Sequence, residues 1–464
     1  MAWNRRQFVK LASASAGSLL ISTSGFARSF KANEKPNVVL IGVGGRGDWF
    51  VSRMPEQANV LGLCDVNDSK AAKGYKKLPD AKKYHDYRIM LQEMEKQYDG
   101  VMIAAPDHIH APASSMAMKM GKHVYCEKPL THNVYEARYL RELARKTKVA
   151  TQMGNQGTAT QAFRRANELI QAGVIGQVRE AWAWNPGGGR GPQKIPTMPW
   201  DVPDYLNWDL WLGPAATRKY HPDWLRWRAW RDFGTSILGN WAVHTTNLAF
   251  KALRLDAMWY PKAEDGAYRL AARTFVIDPR VPDSPKTPDI NFPRWEWIQY
   301  KFPARGKLPP VTLHWLNGTR VPGGFKPIAD QLRARLSKEE FAKHENFEHA
   351  GLLIVGSEGM IKTNGHNARM QLLPEAKFKD AKLPDQAYTR SRGHEAEWFA
   401  ACKGGPKAWS NFDYGGPLTE LVLLGNVATF AGEPVEYDAI DAKVVNSAKG
   451  QSHLQREYRK GWAI

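Results

Sequence analysis

Three groups of residues in this sequence have the types and spacing to do chemistry. The first is Gly42-Val43-Gly44-Gly45-Arg46-Gly47, a GxGxxG pattern that follows a short apolar run at 38–41. In such a turn Gly42 lets the chain reverse tightly, Gly44 lets backbone approach a pyrophosphate, and Gly47 lets the next helix sit close to the strand. Unpaired N–H groups at the start of that helix would then face the phosphates. A second β-type run, 59–64, ends at Asp65, 23 residues after Gly42. A carboxylate at that place accepts hydrogen bonds from the adenosine ribose and repels a 2′-phosphate, which favours NAD over NADP. Reading Asp65 as a plain helix cap leaves the glycines unexplained.

The second group follows further β-type runs. Residues 101–105 end in Pro106-Asp107-His108-Ile109-His110, residues 123–126 end in Glu127-Lys128-Pro129, and residues 149–153 run into Gly154-Asn155-Gln156-Gly157. Helical stretches at 111–120 and 133–148 separate them. Alternating strands and helices make a doubly wound parallel sheet, whose functional side chains gather at the C-terminal strand ends. Lys128, beside the expected nicotinamide position, can have its pKa lowered by burial and by the cationic ring. A structural pair with Glu127 is the plainer reading of it. H-x-H without nearby acids is a weak metal signal, so His108 and His110 read as cofactor-side contacts and no metal is expected. His394 and Glu397 share one helix face, and a structural pair is the expectation there.

The third group is aromatic. Residues 185–231 hold Arg190, Trp208, Trp211, Tyr220, Trp224, Trp227, Trp230 and Arg231. Rings beside Arg, Asp and His suit carbohydrate, by stacking on C–H faces and bonding hydroxyls. For any single Trp, ordinary packing is the simpler account.

GVGGRG, the strand-end Asp65, APDHIH and CEKP, in this order and spacing, resemble the Gfo/Idh/MocA oxidoreductases over roughly residues 34–464. The resemblance implies a Rossmann-type domain with a doubly wound parallel sheet, followed by a C-terminal α/β domain built on an open, largely antiparallel sheet. It implies NAD held by Gly42, Gly44, Gly45, Arg46, Gly47, Asp65, Pro106, Asp107, His108, His110, Glu127, Lys128 and Gln156. Relatives carry D-x-x-x-H-x-x-D where this chain has Asn240 to Asn247. His244 matches the usual acid/base, whereas both acidic positions are Asn, which orients a hydroxyl but holds no proton. Lys128 and His244 are therefore the catalytic candidates. Arg190, Tyr220, Trp230, Arg231, Asn240 and Asn247 are the substrate-binding ones. Many relatives also use the second sheet as an oligomer face, so a homo-oligomer is expected.

The elements that must position these groups fall into three segments. Residues 1–30 read as a signal peptide: Arg5-Arg6-Gln7-Phe8-Val9-Lys10, a mild apolar stretch, then Gly25-Phe26-Ala27. The paired arginines resemble the twin-arginine signal, which exports folded proteins. Residues 34–157 form the NAD-binding domain. Residues 158–464 form the substrate and oligomer domain, with β-type runs at 178–184, 295–302 and 311–315 and a hairpin turning at Ser357-Glu358-Gly359. Helices at 393–401 and 417–430 are expected to return to the first domain.

Composition narrows the classes further. The chain of 464 residues is 43% hydrophobic and 24% charged, which excludes wholesale disorder. No apolar run is long enough to span a bilayer. Three scattered cysteines exclude a disulfide scaffold. The net charge of +19 is spread without a run of five basic residues, so a nucleic-acid partner is not expected. Export would separate the enzyme from any NAD pool, so NAD must be loaded beforehand, held tightly and regenerated in place. Ping-pong exchange between two sugars meets that need. So does a glycosidase cycle of oxidation, elimination, hydration and re-reduction.

Overall fold

The computed structural model describes residues 34–189, 191, 193–260, 274–279, 290–321 and 323–464. The expected signal peptide and Arg190 lie outside the described residues.

The first sheet is parallel throughout. Its strands are β1 (Asn37–Ile41), β2 (Asn59–Cys64), β3 (Lys82–Tyr84), β4 (Gly100–Ile103), β5 (His123–Cys126) and β6 (Thr151–Met153), in the order β3-β2-β1-β4-β5-β6. Four helices matter to the site here: α1 (Arg46–Arg53), α2 (Asp68–Lys77), α3 (Asp107–Lys119) and α4 (Val134–Thr147). Helices cover both faces, which is why β4 and β5 are buried at every position. The strand order reverses between β1 and β4, so a crevice opens beyond their C-terminal ends. Helix α4 starts on a capping box in which Asn133 and Glu136 bond each other's backbone.

Beyond α5 (Gln161–Gln171), a nine-stranded sheet forms the second unit. It consists of β7 (Val178–Asn185), β8 (Thr274–Pro279), β9 (Glu296–Phe302), β10 (Val311–Asn317), β11 (Gly351–Gly356), β12 (Met360–Asn364), β13 (Met370–Leu373), β14 (Val435–Asp438) and β15 (Lys443–Val444). The order is β13-β12-β11-β7-β10-β9-β8-β14-β15. Only the β7–β10 pair is parallel, and the other seven pairs are antiparallel. The sheet is thus open and largely antiparallel, and β11–β12 is the hairpin expected around Ser357.

Two late helices pack against the first domain, and the second of them also meets β8. In α6 (His394–Cys402), Trp398 and Phe399 join the apolar core behind β1 and β4. Helix α7 (Phe412–Ala431) is buried along most of its length. Its glycines let it lie close to neighbours on both sides: a Cβ on Gly415 would sit 3.1 Å from Met153, and one on Gly425 would sit 2.5 Å from the Tyr300 hydroxyl. Between them Glu420, fully buried, takes both arms of Arg138 at 2.9 Å, the Trp259 indole and the Tyr437 hydroxyl. A buried carboxylate with four donors is compensated, and losing one partner would leave a costly charge.

Candidate active site

The glycine turn joins β1 to α1. Gly42 has φ 80°, and a Cβ there would meet the Ala104 carbonyl at 2.7 Å, so strain and space both demand glycine. A Cβ on Gly47 would lie 2.1 Å from the Gly42 carbonyl, which is the helix-to-strand approach expected of the third glycine. Gly44 differs from expectation: the room it leaves is taken by Lys70 of α2, 2.8 Å from a would-be Cβ. It is Gly45, φ 56°, whose missing side chain opens on free space. Helix α1 has no side-chain N-cap, which leaves its N-terminus available to phosphate. These features fit a dinucleotide.

Asp65 stands at the end of β2. Its Oδ2 accepts from the backbone N–H of Val43 at 3.0 Å and of Gly44 at 3.3 Å, and Oδ1 accepts from Asn67. Burial pushes its carboxyl up, while the three N–H groups hold it down. The carboxylate therefore braces the glycine turn.

Glu127, at the end of β5, is a hub. Oε1 accepts from Arg46 Nε at 2.7 Å and from Gln156 Nε2 at 3.3 Å, and a Cβ on Gly154 would strike Oε2. This ties three of the expected cofactor residues into one cluster. The Arg46 guanidinium also lies over Trp49, 4.6 Å from the ring centre.

Lys128 does not pair with Glu127 through its side chain. Its Nζ donates to the Asn240 side chain at 2.6 Å and to the Asn240 carbonyl at 3.0 Å. Both acceptors come from a π-helical turn, Leu238–Ala242, and such widened turns occur frequently at functional sites. Burial is the main reason that the Lys128 amine falls to about 8, against the opposing charges of Glu127 and Asp107. His244 follows the π turn. It is buried, its Nδ1 has no partner among the described residues, and burial and then the nearby Lys128 hold it well below its usual range. It is therefore a neutral imidazole.

A residue that the sequence reading missed completes the group. His366, in the turn after β12, places its ring 4.6 Å from that of His244 and 5.1 Å from that of Trp241. It is exposed on its other side, and burial followed by Lys128 lowers its pKa. No local pattern marks it, since only the folding of the second sheet against the first brings it here.

The other expected residues are held by contacts of their own. Pro106 caps α3, and Asp107 is buried and accepts from the Thr235 hydroxyl at 2.6 Å. His108 is wholly buried, burial takes it to about 3, and its neutral ring donates to one of the two carbonyls its nitrogens face, those of Trp211 and Phe233. His110 spends its nitrogens on the carbonyls of Pro129 and Ala105. Both histidines thus have their ring nitrogens turned onto backbone carbonyls. Tyr220 and Trp230 belong to a separate apolar cluster with Trp208, Trp211 and Trp224, so they serve packing rather than an open sugar platform. Asn247 is 1% exposed and holds the Tyr414 hydroxyl on Oδ1, beneath the crevice rather than in it. Arg231 lines a different cavity, beside the C-terminal half of α7. His394 and Glu397 do not pair with each other: His394 bonds Met153 and Gln152, and Glu397 bonds Arg164. Among the described residues no cluster of His, Cys, Asp or Glu is placed to hold a metal, and no helix is long and apolar enough to cross a membrane.

A parallel sheet in this order, a glycine turn and a strand-end acid define an NAD-binding Rossmann unit, here joined to a second, mixed sheet. Residues 36–155 match the Gfo/Idh/MocA model, described as an oxidoreductase family with an NAD-binding Rossmann fold. Inositol 2-dehydrogenase of Salmonella typhimurium is 27% identical over 143 residues, covering 30% of this chain and 42% of that protein. Levoglucosan dehydrogenase of Pseudarthrobacter phenanthrenivorans is 25% identical over 116 residues, covering 25% and 29%. This chain thus spans less than half the length of the curated relatives it matches. The fold extends further: the WlbA dehydrogenase of Bordetella pertussis, solved with NADH and UDP-GlcNAcA, superposes with TM-score 0.55 at 12% identity, covering 86% of this chain and 98% of that one.

Proposed function

We propose that this protein is an NAD-dependent oxidoreductase that acts on a hydroxyl group of a carbohydrate. The observation that carries the reading is Lys128, half-buried at the end of β5, poised near neutrality and aimed by Asn240 beside a neutral His244. When bound, NAD supplies the hydride acceptor. The glycine turn and α1 would hold its phosphates, Asp65 its ribose, and the Glu127 cluster the crevice floor.

The residues divide the remaining work by their pKa values. A base is most effective when its pKa lies near the working pH. Lys128 meets that condition, so its neutral amine takes the hydroxyl proton at Nζ. Protonating His244 is disfavoured by burial and by Lys128, so it orients the substrate hydroxyl as an uncharged hydrogen-bonding group. Asn240 holds Lys128 in place and, being uncharged, leaves its pKa low. The resemblance implied His244 as the acid/base, and here that part passes to Lys128.

Support for a carbohydrate substrate comes from relatives named for inositol and levoglucosan. We further propose that Arg5-Arg6 directs export, that NAD stays bound during turnover, and that the chain assembles as a homo-oligomer through the second sheet. The test is a single-turnover experiment: the NAD-loaded protein is mixed with panels of sugars, polyols and glycosides, and reduced nicotinamide is followed by absorbance. Reduction by at least one member, lost about a hundredfold in Lys128→Met, is the expected result. Release of an aglycone without net reduction would instead establish the glycosidase cycle. No response from any compound, or full activity in Lys128→Met, would refute the proposal.

A further inference from the structure

A cavity of about 240 Å³ lies between the start of α4, the C-terminal half of α7 and the tail at 453–456. None of its lining residues is Lys128, Asn240, His244 or His366. It is smaller than the roughly 300–1,000 Å³ of sites for drug-sized ligands, so it suits a single sugar ring rather than a dinucleotide.

Its walls carry a specific set of groups. Arg231 lies over the Phe430 ring, 3.9 Å from the centre, and donates to His453 Nδ1 at 2.7 Å. Arg456 donates through one nitrogen to the Asp232 carbonyl at 3.0 Å and to His132 Nδ1 at 3.3 Å. His132 therefore carries its proton on Nε2, which donates to the Arg231 carbonyl at 2.7 Å. Burial keeps this histidine neutral. The carboxylate of Asp232 is paired with Arg218, outside the lining set. Arg231 and Arg456 thus bring two guanidinium groups to the wall of the cavity, and such groups suit a carboxylate or phosphate.

Asn426 adds an independent observation. It is 7% exposed, its amide N–H donates to the Thr235 carbonyl at 3.0 Å, and its Oδ1 has no partner among the described residues. A buried acceptor left unpaired costs about 1–3 kcal/mol, so this oxygen calls for a donor that a bare anion lacks. A hydroxyl supplies it. Phe292 and Phe430, with ring centres 5.6 Å apart, add flat apolar faces of the kind a sugar ring covers.

We propose that this cavity is a binding site for a small hydroxylated anion, a sugar acid or sugar phosphate, separate from the crevice at Lys128. The test is calorimetric titration of the full chain with glucuronate, glucose 6-phosphate, inorganic phosphate and glucose. At least one charged sugar is expected to saturate, about tenfold tighter than inorganic phosphate or glucose. Which of the two does so distinguishes carboxylate from phosphate. Arg231→Gln and Arg456→Gln should each weaken that binding about tenfold while NAD still binds, and Lys128→Met should leave it unchanged. Equal affinity for glucose, equal affinity for inorganic phosphate, or no saturation by about 20 mM would overturn the proposal without any variant. Loss of binding in Lys128→Met would overturn it as well, by locating the sugar in the other crevice.

Discussion

Replacing Asn240 by Asp installs the acid that the resemblance implied at this position, and the structure predicts that it will slow the proposed reaction. The Asn240 side-chain oxygen lies 2.6 Å from Lys128 Nζ. Two unit charges at that separation attract by about 6 kcal/mol at an effective dielectric constant near 20. Burying the new carboxylate, the loss of the present hydrogen bond and the opening of the amine to the crevice offset most of this. A net of about 2 kcal/mol remains, which is roughly 1.5 pKa units. Lys128 stands at about 8, so at pH 7 roughly a tenth of it is neutral, and in Asn240→Asp about 0.3% would be. If the neutral amine accepts the proton, the rate at pH 7 falls about thirtyfold and recovers toward pH 10. The assay is the pH profile of kcat, paired with the pH dependence of acetic anhydride labelling of Lys128 read by mass spectrometry. The rising limb and the labelling midpoint should move upward together. A faster enzyme, or a limb that stays in place while the labelling midpoint shifts, would refute the assignment of Lys128 as the base.

Three further outcomes follow from buried groups. Burial raises Glu296 to about 7, so the folded state binds a proton that the unfolded chain loses near pH 4.5, and stability falls as pH rises through that window. Glu296→Gln should remove the fall and stabilise the protein by up to about 3 kcal/mol above pH 7, as read by urea denaturation at a series of pH values. Glu420→Leu should cost about 3–5 kcal/mol by leaving Arg138 buried without its counter-charge, measured as a lowered denaturation midpoint. Gly42→Ala should abolish NAD binding in a chain that still folds, because φ 80° and the Ala104 carbonyl both exclude a Cβ; equilibrium dialysis with NAD and circular dichroism check the two halves.

Much of this was legible in the sequence because the first domain repeats one local rule. Its short apolar runs are strands buried along most of their length, and several polar groups just after such runs lie together beyond the strand ends. Gly42, Asp65, Glu127 and Lys128 were readable in that way, and the resemblance supplied His244. The aromatic loop was read less well. Trp230 and Tyr220 look the same in sequence whether they face a sugar or each other, and burial is decided by the chain that covers them. His108 and His110 misled for a related reason: a strand-end position predicts proximity to the crevice, not where the ring nitrogens point. His366 had no signal at all, because its place beside His244 depends on how two sheets meet. Arg231 likewise follows the loop into a cavity framed by α7 and by residues 222 to 225 positions later in the chain.

The role proposed for Lys128 requires NAD at the crevice formed by the glycine turn, Asp65 and the Glu127 cluster. The most direct measurement is denaturation of the purified protein, before any cofactor is added, with the released dinucleotide quantified by absorbance and chromatography. NAD or NADH at near one molecule per chain is the expected result. A protein that releases none, and that also fails to bind NAD when it is supplied, would contradict it.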